Sequence, residues 1–112
     1  MKLIHDKGRY VVTHIDEQLN AFKTPTVRNI ELTAPYMHNG SYSSLETVVE
    51  FYHKGGGAGL KLTVPNQTLP FDSLQLSPSE KTDIVLFLKT LTDTTGLTSP
   101  PVLPRFTSTS KL

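Results

Sequence analysis

Two stretches of the chain place apolar residues at helical spacing. Leu45, Val48, Val49 and Tyr52 fall at i, i+3, i+4 and i+7, which makes one apolar stripe and turns Glu46, Glu50 and Lys54 mostly to solvent. Ser43-Ser44-Leu45-Glu46 reads as a capping box that starts this helix at Ser43, with Glu46 reaching back to it. Gly55-Gly56-Gly57 ends it, because glycine accepts the left-handed conformation common at a helix C-terminus. Tyr52 is thereby expected on the buried face of the last turn, where its hydroxyl needs a partner. The second helix starts more firmly, at Ser77-Pro78-Ser79-Glu80, a capping box with proline at the first helical position. It is expected to run to about Thr92, burying Ile84, Leu88 and Leu91 with Val85 and Phe87 beside them.

Between and around these helices the pattern breaks. Pro25 and Pro35 push their preceding residues out of helical conformation and Asn39-Gly40 is a tight-turn pair, so residues 24–41 read as a structured loop. Thr24 is a candidate N-cap for a single turn starting at Pro25. Residues 55–76 read as a long irregular connection, with Phe71, Leu74 and Leu76 anchoring its return to the core. Gly55, Gly57 and Gly59 neither follow a strand nor open a helix, which argues against a phosphate cradle. Residues 94–112, rich in Thr, Ser and Pro, read either as an extended tail draping over the body through Val102, Leu103 and Phe106 or as a partly disordered one.

Length and charge narrow the function classes. The 112 residues suit one domain, and a net charge of +1 lacks the strongly basic face of a nucleic-acid binder. No apolar run is long enough to cross a bilayer, and the N-terminal MKLIHDKGR has no apolar signal core. His5, His14, His38 and His53 show no recognisable metal-ligand spacing.

Chemistry concentrates in the loop before the first helix, where Arg28, Asn29, Tyr36, Met37, His38 and Asn39 supply a cation, amides, a phenol, a thioether and an imidazole. FKTPTVRN, then LTAPYMHNGS, then SLETVVEFY and finally LSPSEKTDIVLFLKTLTD occur in this order. Together they resemble the C-terminal lobe of the bacterial di-haem cytochrome c peroxidases and the MauG-like proteins related to them, over about four fifths of the chain from Asp6 to Asp93.

The resemblance implies an all-α, cytochrome c-like helical lobe with long loops over residues 1–95 and a Pro/Ser/Thr-rich tail over 96–112. Tyr10 to Thr13, a short β-prone run, becomes an extended segment lying over the lobe. In the family each lobe holds one c-type haem, and the C-terminal haem takes its distal ligand from the helix after the PYxHxG loop. That ligand is methionine in the peroxidases and tyrosine in MauG-like proteins. Counting from His38 puts Tyr52 at the position. Met37 then belongs to the loop, where it packs, and stands with His38 and Arg28 around the haem ligand. His38 lines the haem pocket as a residue beside the ligand shell, the fifth ligand being the histidine of Cys-x-x-Cys-His. Tyr36 is core or pocket wall. Arg28 either pairs with a haem propionate or bridges a local acid such as Glu31.

The departure is the absence of any cysteine, so this chain cannot hold haem c covalently. The lobe is expected to be incomplete, its haem-attachment segment lying upstream. A fragment, a split gene product and a degenerate lobe are the three readings. The implied function is the distal wall of the electron-transfer haem that passes electrons to a peroxide-reducing haem, in a periplasmic oxidoreductase. Its implied partners are the upstream haem-bearing part of the same or a split protein and a small redox protein as donor. This chain alone is expected to be inactive. The alternative is a haem-free interaction module using the Leu45 to Tyr52 and Ile84 to Leu91 faces. Should the second helix lack its usual helical neighbour, its apolar stripe invites homo-oligomerisation or domain swapping.

Overall fold

A computed structural model describes residues 6–98. His5, Val102, Leu103, Phe106 and most of the tail, with the expectations stated for them, lie outside those residues. The described residues hold helices and no strand, with two isolated bridges, Gly8 to Ala21 and Tyr36 to Tyr42. The helices are α1 (Tyr10–Thr13), α2 (Leu45–His53), α3 (Gly56–Gly59) and α4 (Pro78–Thr90), with 3₁₀ turns at Asp16–Gln18 and Ile30–Leu32.

The organising contact is α2 against α4. Lys81 near the start of α4 pairs with Glu50 late in α2 at 2.8 Å, and Lys89 near the end of α4 reaches Glu46 early in α2 at 4.0 Å. The two helices are therefore antiparallel. Between them lies a small core of Leu45, Val49 and Val85, against which Ile30, Tyr36, Ile84 and Leu88 pack. Phe87, expected beside this core, is 61% exposed, and Leu86 next to it faces solvent too. Val85 alone of that trio turns inward, because one helical face cannot carry three consecutive residues.

The α4 start is as expected: Ser77 Oγ accepts from the Glu80 N–H at 3.3 Å, and Glu80 Oε2 accepts from the Ser77 N–H at 2.7 Å. The α2 start is shifted by one residue. Ser44, extended at φ −136°, is the N-cap and accepts from the Thr47 N–H at 3.3 Å. Glu46 falls one place too early to close a box and faces Lys89 instead.

Three local expectations are corrected. Tyr10–Thr13 is one helical turn, not an extended segment: the Arg9 carbonyl takes the Val12 and Thr13 N–H groups, and no strand lies alongside to compete for them. No turn starts at Pro25; Thr26 Oγ1 instead accepts from the Arg28 N–H at 3.2 Å, a local side-chain turn. The glycine run ends α2 and then re-enters helix as α3. Gly55 at φ +86° reverses the chain, and a Cβ there would collide with the Phe71 carbonyl. The rest of the 55–76 connection is held by Asn66, whose Nδ2 donates to the Asp16 carbonyl at 2.9 Å, and by Leu74, whose N–H donates to the His53 carbonyl at 2.9 Å.

Candidate functional site

The loop before α2 is built by its own polar groups. Tyr36 and Tyr42 form the antiparallel bridge, with the Tyr36 N–H donating to the Tyr42 carbonyl at 2.7 Å. Met37 takes φ 70° to begin the reversal, the Gly40 N–H donates to its carbonyl at 3.2 Å, and Asn39 Oδ1 accepts from the Ser41 N–H at 3.2 Å. The Tyr36 hydroxyl donates to the Ile30 carbonyl at 3.0 Å, tying the 3₁₀ turn to the core. Burial, then the charges of Glu46 and Glu31, push the Tyr36 pKa up from its ordinary 10.0. Met37 is half-buried. The His38 ring is exposed and stacks on Phe22, centroids 4.0 Å apart and planes 16° from parallel.

Arg28 pairs with Asp93, not with Glu31: its guanidinium donates to Asp93 Oδ2 at 2.8 Å, both side chains half-exposed or more. Glu31 instead accepts from the Thr92 hydroxyl at 3.0 Å. Asp93 is held below the usual carboxylate range by the Thr95 backbone N–H first, then the Thr95 hydroxyl and the Arg28 guanidinium. Asn29, in the left-handed region at φ 60°, completes this junction. Its N–H donates to the Leu91 carbonyl at 3.1 Å and its Oδ1 accepts from the Asp93 N–H at 2.6 Å. The Phe22 stack, Asp93 and the Asn29 bonds were not read from the sequence, since each joins residues far apart along the chain; asparagine's tolerance of the left-handed region was the one available signal.

Tyr52 lies elsewhere. It sits in the last turn of α2, about 10 Å along the helix from Leu45. It is not buried, as its place on the stripe implied, but 42% exposed. Its ring meets Phe51 edge-on at 5.3 Å, and its hydroxyl makes no hydrogen bond among the described residues. α4 packs on the side of α2 that carries Glu46, Val49 and Glu50, while the last turn of α2 is met on its His53 side by the returning segment. There the Leu76 N–H donates to His53 Nδ1 at 3.3 Å. Leu60, Leu62, Phe71 and Leu74, in the connection that follows, also expose apolar surface. No hydrogen bond or aromatic contact joins Tyr52 to Arg28, Tyr36, Met37 or His38 among the described residues.

The donor set suits a haem iron more than a bare metal ion. Among the described residues no three His, Cys, Asp or Glu side chains cluster to hold a metal. The Tyr52 phenol oxygen, on a part-exposed residue and without a hydrogen-bond partner among the described residues, is free to serve as a single ligand to an iron whose other ligands come from elsewhere, as in a haem.

No family model matches the chain. Individual relatives do. A cytochrome-c peroxidase, IdrP2, of Denitromonas iodatirespirans is 40% identical over 101 residues, which are 90% of this chain and 25% of that protein. The methylamine utilization protein MauG of Methylorubrum extorquens is 33% identical over 98 residues, 88% of this chain and 26% of that one. The cytochrome c551 peroxidase of Nitrosomonas europaea is 38% identical over 97 residues, 87% of this chain and 25% of that one. The chain thus spans about a quarter of the length of the curated relatives it matches. Among solved structures, a MauG-like protein associated with microbial copper homeostasis superposes with a TM-score of 0.65 and 36% identity, over 79% of this chain and 29% of that one. With sequence and helical architecture in agreement, the chain belongs to the C-terminal lobe of the di-haem cytochrome c peroxidase and MauG-like family.

Proposed function

We propose that this lobe forms the distal wall of the electron-transfer haem of a periplasmic di-haem oxidoreductase, with Tyr52 as the axial ligand to iron. The observation that carries the reading is the unbonded, part-exposed Tyr52 hydroxyl in the last turn of the helix that follows the PYMHNG loop. Haem c, attached through the Cys-x-x-Cys-His of an upstream part of the same or a split protein, supplies one-electron chemistry when bound. Tyr52 offers it a hard anionic oxygen, which favours ferric iron and lowers the reduction potential relative to methionine. Met37 and the His38 ring, fixed by its stack on Phe22, line the wall, and Tyr36 holds the loop to the core. Arg28 keeps enough exposure to meet a propionate while retaining Asp93. A small redox protein donates electrons here, and peroxide is reduced at the other lobe.

The test is the haem-loaded, full-length protein with Tyr52→Phe and Tyr52→Met. The phenylalanine variant loses the tyrosinate-to-iron charge-transfer band. The methionine variant raises the reduction potential, on the order of a few hundred mV within the ~0.8 V that axial ligands span. A ferric spectrum unchanged in both variants refutes the assignment. The second reading, a haem-free lobe that binds a partner or a second copy, is favoured by the exposed Leu86 and Phe87 of α4. A complete protein without a Soret band selects it.

A further inference from the structure

We infer that Gln67 is the positioning residue for Tyr52, an inference that rests on the ligand assignment above. The Tyr52 side chain has no hydrogen bond to aim it among the described residues, so the direction of its phenol depends on how the backbone of its turn is held. The Tyr52 carbonyl accepts from the Gly55 N–H at 3.0 Å. The Gly55 carbonyl accepts in turn from Gln67 Nε2 at 3.0 Å, so two hydrogen bonds in series connect the Gln67 amide to the peptide of Tyr52.

The same amide does more at this corner. Its NH₂ group also reaches the Leu69 carbonyl at 3.3 Å, and its Oε1 accepts from the Ala58 N–H at 3.0 Å. Both donors and the acceptor are used, and they face the buried backbone of Gly55, Gly56 and Gly57. A glycine corner has the largest conformational freedom to lose, and here one side chain from twelve residues away fixes it. Only asparagine, one methylene shorter, offers the same two donors and acceptor in one plane; glutamate keeps only the acceptor.

The experiment uses the haem-loaded, full-length protein. Imidazole is titrated against the ferric form of the wild type, Gln67→Ala, Gln67→Glu, Val85→Ala and Tyr52→Phe, and displacement of the native ligand is read from the visible spectrum. Glutamate, nearly isosteric, keeps the test open should the alanine variant fail to fold. The expected result is a displacement midpoint about tenfold lower in both Gln67 variants, the scale of losing one or two buried hydrogen bonds. Val85→Ala lowers the melting temperature through the core but leaves the midpoint in place. Wild-type midpoints in the Gln67 variants, or an equal fall in Val85→Ala at equal loss of stability, overturn the positioning role while leaving Tyr52 as ligand. A wild-type spectrum in Tyr52→Phe overturns both.

Discussion

Removing one oxygen from each of two tyrosines separates a structural phenol from an available one. Tyr36 donates to the Ile30 carbonyl at 3.0 Å from a half-buried position in contact with the core. Tyr36→Phe removes that bond and leaves a part-buried carbonyl without its partner. The net worth of such a bond is ~1 kcal/mol, and the stranded acceptor brings the loss to roughly 1–2 kcal/mol. For a domain of this size each kcal/mol lowers the melting temperature by about 4–8 °C. Tyr52→Phe removes no hydrogen bond among the described residues and leaves the exposed ring in place, so its effect on the haem-free chain is within ~0.5 kcal/mol. Both follow from thermal or urea unfolding of the chain. The pH axis sharpens the contrast. Burial and two neighbouring carboxylates raise the Tyr36 pKa above 10.0 in the folded state, so the folded chain favours the protonated phenol. That contribution is fully present below pH 10 and is lost as pH rises through the raised value. Tyr36→Phe therefore flattens the alkaline limb of the stability curve. Equal destabilisation by the two variants would refute the reasoning.

Ser77→Ala removes the hydroxyl half of the α4 capping box and keeps the backbone N–H bond to Glu80, costs about 1 kcal/mol and lowers the melting temperature by roughly 4–8 °C, whereas Ser77→Gly costs only a few tenths of a kcal/mol. Acid also weakens the helix pair. Glu50 is held below its ordinary 4.5 by the hydrogen bond from Lys81 first and that from Lys54 next, and Glu80 by the Ser77 hydroxyl first and the Ser77 N–H next. Depressed carboxylates stabilise above 4.5 and lose that contribution as pH falls through their folded values, so an acid titration followed by circular dichroism steepens below pH 4.5. Glu50→Gln removes its share of that slope, and added salt shrinks the same share because Glu50's partners, Lys81 and Lys54, are charged.

What was legible in the sequence is what lies within one helical turn. The Ser77 box and the Leu45, Val49 and Val85 core follow from spacing of three and four residues, which fixes side chains on one face. The shift from Ser43 to Ser44 is a competition between adjacent serines that spacing alone does not decide, since Thr47 answers Ser44 as Glu46 would have answered Ser43. Asp93 was invisible as the partner of Arg28 because the ion pair joins segments that meet only once α4 has packed on α2. The α3 turn was invisible for the same reason. Its sequence, Gly-Gly-Ala-Gly, opposes helix by intrinsic propensity, and an amide from residue 67 overrides that preference.

Tyr52 shows how a correct pattern leads to an incorrect burial. Its stripe does point one way, and Leu45 and Val49 on it are shielded, each less than one tenth exposed. Periodicity specifies a shared face but not what lies opposite, and α4 covers only the part of the face that carries Leu45 and Val49. A large aromatic left at 42% exposure on an otherwise well-matched stripe, with its hydroxyl unpaired among the described residues, is a conflict between local pattern and tertiary packing. Such conflicts collect at functional positions, where stability is given up for availability to a ligand. On the proposed reading the missing neighbour of this ring is the haem, and the same geometry explains why Gln67 spends a whole amide on the corner beside it. On that reading a ligand that no side-chain bond aims is aimed through its backbone, and rigidity in the glycine corner and freedom at the Tyr52 hydroxyl are two consequences of one requirement.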